Sequence, residues 1–149
     1  MSFQYQRGDI DDIEAVFRLN RQVFAESWSK DVMLQSLQVG YDLLLCFDQG
    51  SLVAYILSQD ILLETQIMQL AVISTHRRLG IAKHLMLQLL AEKKDYEQVM
   101  LEVRVSNLTA QAFYQHLNFK IVGKRPDYYV KTKTQACEDA VLLSFSPPT

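Results

Sequence analysis

Apolar and polar positions alternate over residues 3–7, which predicts a short first strand. The period then changes. Ile13, Val16, Phe17, Asn20 and Phe24 recur at helical spacing, and Asp9 stands where it can cap a helix over about 10–25. Ser29 is placed to cap a second, shorter helix with Leu34 and Leu37 inside it. Tyr41 to Phe47 reads as a strand, Asp48-Gln49-Gly50-Ser51 as a hairpin turn, and Leu52 to Ser58 as the returning strand. Ile67 to Ile73 is a further strand, followed by a helix over about 79–94. Val99 to Val105 is a strand, Ser106 or Asn107 caps a helix to about Leu117, and Phe119 to Lys124 and Ala140 to Phe145 are the last two strands. The expected order is β-α-α-β-β-β-α-β-α-β-β. Its central strand–helix–strand unit should be a right-handed parallel crossover, and its hairpins antiparallel. That is an α/β fold, a mixed central sheet with helices on both faces.

Composition adds limits. The chain has 149 residues, 49% of them apolar and 21% charged, which suits one folded domain over 1–149. No repeat, low-complexity segment or linker divides it. A net charge of −2 gives no global electrostatic case for nucleic acid or an anionic membrane. Cys46 and Cys137 fit no zinc or redox spacing, Cys46 reading as core and Cys137 as exposed. His76, His84 and His116 form no metal pattern, so no metal is expected. The first residues lack the basic start and apolar stretch of a signal peptide, and no apolar run approaches the ~20 residues of a membrane span. The expectation is a soluble cytoplasmic protein with no membrane partner.

Two segments carry chemistry. Leu70-Ala71-Val72-Ile73 is followed by Arg77-Arg78-Leu79-Gly80-Ile81-Ala82, so a buried strand ends, a basic turn follows, and a helix begins at a glycine. The first amides of a helix have no internal partner and suit an anionic phosphate. A solvated basic turn before an amphipathic helix has the same sequence, and both readings stand on this segment alone. One helix later comes Leu101-Glu102-Val103-Arg104-Val105-Ser106-Asn107, with Leu101, Val103 and Val105 on one strand face and Glu102 and Arg104 on the other. A central parallel strand is normally apolar on both faces, so a carboxylate there is either a general base or half of a surface pair with Arg104. Tyr114, near the end of the next helix, is a candidate acid or a packing residue.

Arg77-x-x-Gly80-x-Ala82 between an apolar strand and a Leu-rich helix is similar to the acetyl-CoA pyrophosphate motif of the GNAT acetyltransferases. Glu102 in Leu-Glu-Val-Arg, Asn107 after Ser106, and Tyr114 before Leu117-x-Phe119 resemble one branch of that superfamily. It is the bacterial ribosomal-protein-alanine N-acetyltransferases, the RimI type. Ser27-Trp28-Ser29, Arg125-Pro126-Asp127-Tyr128-Tyr129 and Glu138-Asp139-Ala140-Val141-Leu142 resemble further segments of the branch, in order along the chain. Three positions depart from it: Ser27 and Val130 stand where proline is usual, and Gln69 where asparagine is usual.

The resemblance implies the GNAT fold and acetyl-CoA as co-substrate, without metal. It assigns Glu102 as base, acting through water, and Tyr114 as the acid that protonates the departing thiolate. Leu70, Ala71 and Val72 would hold the pantetheine through backbone groups. Arg77, Arg78, Leu79, Gly80, Ile81, Ala82 and Asn107 would complete the cofactor set, and Trp28, Tyr128 and Tyr129 would flank the acceptor. The implied acceptor is the N-terminal α-amino group of a protein, an alanine-starting protein of the small ribosomal subunit. The chemistry is coherent: an α-amino group has a pKa of about 7.7–8.0 against about 10.4 for lysine, so it is deprotonated more easily near neutrality. The alternatives are a GNAT enzyme acting on a lysine or a small-molecule amine, and a noncatalytic acyl-CoA-binding module. A pure binder has no use for Glu102 together with Tyr114.

Overall fold

The computed structural model describes residues 2–133 and 135–148. Seven strands, β1 (Phe3–Gly8), β2 (Asp42–Asp48), β3 (Ser51–Ile61), β4 (Glu64–Val72), β5 (Gln98–Arg104), β6 (Lys120–Tyr129) and β7 (Glu138–Phe145), join in the order β1-β2-β3-β4-β5-β7-β6. Four α-helices, α1 (Ile13–Val23), α2 (Lys30–Gln38), α3 (Ile81–Glu92) and α4 (Leu108–His116), complete the expected element order. The chain divides into two compact units, Met1–Asp60 with Ile67–Lys93, and Ile61–Gln66 with Lys94–Thr149.

In the first unit, Asp9 starts the helical segment as expected. Its carboxylate accepts from Asp11 N at 2.9 Å, and Asp12 reciprocates toward Asp9 N, a closed capping box. A short 3-10 turn precedes α1, so the α-helix begins at Ile13. Ser29 caps α2 by accepting from Val32 N. Ile13, Val16 and Leu19 of α1 and Met33 of α2 close over Leu43, Leu45, Tyr55, Leu57 and Ala71 of the sheet to make the core. Strands β1, β2 and β3 pair antiparallel, and Gln49 and Gly50 between β2 and β3 both have positive φ, the hairpin turn the sequence announced.

In the second unit, the first residues of β4 pair in parallel with β5 (Glu64 with Gln98, Gln66 with Met100). Strand β7 lies antiparallel between β5 and β6. Two boundaries differ from expectation. Strands β3 and β4 extend to within two residues of each other, because Leu62 takes φ 56° and turns the chain without any of the usual turn residues. Strand β6 continues from the expected end at Lys124 to Tyr129. Residues 125–129 therefore form a strand rather than a loop. Irregularities in the β6–β7 register, one between Ile121 and Gly123 and one between Arg125 and Tyr129, absorb the extra residues.

Candidate active site

The first unit carries the turn between β4 and α3. Ala71 and Ile81 are buried, whereas Arg77, Arg78 and Gly80 are exposed. Gly80 is the N-cap of α3 with φ 81°, and no side chain caps the helix. The first intrahelical bond runs from His84 N to Gly80 O, which leaves the amides of Ile81, Ala82 and Lys83 without helical partners. A Cβ at Gly80 would meet nothing within 4 Å, so the glycine serves the left-handed backbone and keeps open space above the amides. Arg77 Nε donates back to the Val72 carbonyl at 3.4 Å, tying the turn to the end of β4.

The same unit holds Trp28, half-buried against the core cluster in the loop between α1 and α2. Its backbone N donates to Asn20 Oδ1 at 2.9 Å. Asn20 Nδ2 donates to the Tyr55 hydroxyl and to Gln69 Oε1, each at 2.9 Å, and the Tyr55 hydroxyl donates to Gln69 Oε1 at 2.8 Å. Gln69, a departure from the branch pattern, is thus the acceptor of a buried network that pins the Trp28 loop. Asn20 obeys the helical period of α1 yet is polar and fully buried. A polar residue at a core position was the signal that this network existed.

The second unit assembles the surroundings of Glu102 by register. Val99, Leu101 and Val103 of β5 are buried, and Glu102 and Arg104 share the other face. Glu102 pairs across β7 with Leu142, which pairs with Gly123, and Arg104 pairs with Ala140, which pairs with Arg125. The β6 irregularity, with Asp127 at φ 52°, then delivers Tyr129 opposite Glu138. Glu102, Arg125, Tyr128 and Tyr129 are brought together in this way. The Glu102 side chain is 6% exposed, and Arg125 Nη1 lies 3.3 Å from its Oε1. Neither carboxylate oxygen makes a hydrogen bond of good geometry. Tyr128 and Tyr129 meet edge to face at 5.1 Å. Burial, and then the nearby Glu102 charge, raise the phenol pKa of both, that of Tyr129 to about 12.

Arg104 is otherwise engaged. Its guanidinium lies over the Tyr129 ring at 4.4 Å and donates to Glu138 Oε2 at 3.2 Å. Glu138 also accepts from Ser106 N, and a hydrogen bond from the Ser106 side chain, followed by Arg104, holds its carboxyl below the usual range. The surface-pair alternative for Glu102 and Arg104 therefore fails: Arg104 pairs with Glu138, and Arg125 faces Glu102. Tyr114 of α4 is buried among Phe113 and Phe119, and burial pushes its phenol pKa up. Asn107 caps α4, its Oδ1 accepting from Ala110 N at 3.1 Å.

The chain belongs to the acetyltransferase (GNAT) family, whose model matches residues 13–119. It is an N-acetyltransferase, and acetyl-CoA is the donor that this family uses. An N-alpha-acetyltransferase of Saccharolobus solfataricus is 29% identical over 158 aligned positions, covering 95% of this chain and 92% of its own. The [ribosomal protein bS18]-alanine N-acetyltransferase of Escherichia coli K12 is 27% identical over 135 positions, covering 89% of this chain and 90% of its own. The crystal structure of the ribosomal-protein-S18-alanine N-acetyltransferase from Escherichia coli superposes with a TM-score of 0.92 at 24% identity, over 99% of this chain and 96% of that one. The GNAT fold and the RimI-type resemblance read from the motifs are borne out.

Proposed function

We propose that this enzyme transfers the acetyl group of acetyl-CoA to the free α-amino group of a protein N-terminus, with an alanine-starting ribosomal protein of the small subunit as the acceptor. The observation that carries the reading is the Glu102 carboxylate, enclosed and flanked by Tyr128 and Tyr129. An enclosed carboxylate with unused lone pairs is fit to accept a proton from an ammonium group or its bound water. The names of the relatives from S. solfataricus and E. coli point the same way.

In this reading the α3 amides, with Arg77, Arg78, Leu79, Gly80, Ile81 and Ala82, hold the pyrophosphate. Backbone groups of Leu70, Ala71 and Val72 hold the pantetheine. Glu102 removes a proton from the α-ammonium group. The neutral amine attacks the thioester carbonyl, the C–N bond forms, the nitrogen sheds its second proton to solvent water, and the C–S bond breaks. Tyr114, whose raised pKa keeps it protonated, gives its proton to the thiolate. Tyr128 and Tyr129, beside Glu102 in the second unit, line the acceptor.

The test is a peptide pair assayed with acetyl-CoA by mass spectrometry. One peptide has a free N-terminal alanine; the other has that amine blocked and an internal lysine free. Acetylation of the first is expected. Preferential acetylation of the second would overturn the reading in favour of a lysine acetyltransferase.

A further inference from the structure

Arg125 has no place in the acetyl-transfer roles above, yet among the described residues it is the cation that faces Glu102, at 3.3 Å. We propose that Arg125 is a positioning residue that supplies the counter-charge keeping the buried Glu102 carboxylate ionised and competent as a base. The proposal rests on Glu102 being the base.

The argument starts from the cost of enclosing a charge. A carboxylate removed from water takes up a proton unless hydrogen bonds or an opposite charge compensate it. Glu102 is 6% exposed, and the neutral phenol of Tyr128 beside it can offer a hydrogen bond but no opposite charge. Within its unit, the groups facing it can be named from each packed strand. From β7 comes Leu142, directly opposite and apolar. On β5, Arg104 is spent on Glu138 and on the Tyr129 ring. From β6 come Tyr128 and Tyr129, neutral near pH 7 because their phenol pKa values are raised, and Arg125 at 3.3 Å. The compensating charge therefore comes from Arg125.

The geometry suits a service role rather than a fixed ion pair. The Arg125 side chain is 55% exposed, and its guanidinium lies 5.5 Å from the centre of the Tyr128 ring. It approaches one carboxylate oxygen without forming a good hydrogen bond, so the lone pairs stay available to a substrate proton. A bidentate pair would occupy those lone pairs and block the base.

The experiment compares wild type, Arg125→Gln, Arg125→Lys and Glu102→Gln, using the free-alanine peptide across pH 5.5–9.5. The acceptor amine contributes the same titration to every profile, so differences report on the enzyme. For Arg125→Gln, kcat/KM should fall about tenfold or more near pH 6.5, and the deficit should shrink steadily as the pH rises. An arginine beside a carboxylate typically moves its titration by about one to three pH units. Arg125→Lys should recover most of the loss, and the KM for acetyl-CoA should stay unchanged in both variants. Superimposable pH profiles for wild type and Arg125→Gln would overturn the proposal, as would a deficit of equal size at every pH. Either result beside an impaired Glu102→Gln removes only the role of Arg125. A fully active Glu102→Gln removes the base assignment itself. Thermal melts check folding, and an unfolded Arg125→Gln would refute the proposal, because an exposed residue of β6 that only tunes charge is dispensable to the fold.

Discussion

Replacing Asn20 by alanine should cost far more than an ordinary polar-to-alanine change. Its Nδ2 donates to the Tyr55 hydroxyl and to Gln69 Oε1, and its Oδ1 accepts from Trp28 N, three hydrogen bonds lost together. At a net contribution of about 1 kcal/mol each, the loss is roughly 3 kcal/mol. The bond from Tyr55 to Gln69 survives and limits the damage, whereas Trp28 N loses its acceptor, Asn20 Oδ1. For a chain of this size that corresponds to a fall of about 6–12 °C in Tm. Urea unfolding should show a lower midpoint with an unchanged slope, because the surface exposed on unfolding is the same. Tyr55→Phe removes the bonds from Asn20 and to Gln69 but leaves Trp28 tethered, so its destabilisation should be smaller. A loss below about 1 kcal/mol for Asn20→Ala, or a larger loss for Tyr55→Phe, would refute the reasoning, since the ranking follows from which groups are left without partners.

Glu102→Gln keeps the shape and removes the base, so kcat should fall by roughly 10²–10⁴ at pH 7 and recover partly at high pH, where the amine is already neutral. Tyr114→Phe should lose activity without that recovery. Burial raises the pKa of Tyr114 above the ordinary phenol value, so wild type keeps its proton throughout the assay range and the deficit stays flat with pH. Gly80→Asp sets a side chain and a negative charge above the α3 amides in a left-handed backbone position, and calorimetry should show much weaker CoA binding by a folded protein. Unchanged CoA affinity in that variant would remove the turn from the cofactor site.

The local pattern alone determined the elements and their order. Period-two and helical spacings, Asp9 and Ser29 as caps, and the Gln49-Gly50 turn are short-range features, satisfied by neighbours in sequence, and the structure repeats them. The β4–α3 turn was legible for the same reason, since a helix N-terminus is defined by the few residues around Gly80. The Leu62 turn and the extension of β6 to Tyr129 were not, because neither follows residue preference: Leu62 is an unfavourable residue for positive φ, and β6 is held by pairing with β7. What surrounds each charged side chain was decided by tertiary structure. Glu102 and Arg104 share a strand face in the sequence, which suggested a pair. The register of β5, β7 and β6 instead commits Arg104 to Glu138 and brings Arg125, more than twenty positions away in the chain, to Glu102. Asn20, Tyr55 and Gln69 likewise meet only when α1 packs on the sheet. Spacing along a chain fixes which face a side chain occupies, but only strand register and packing choose which distant charge or amide it meets there.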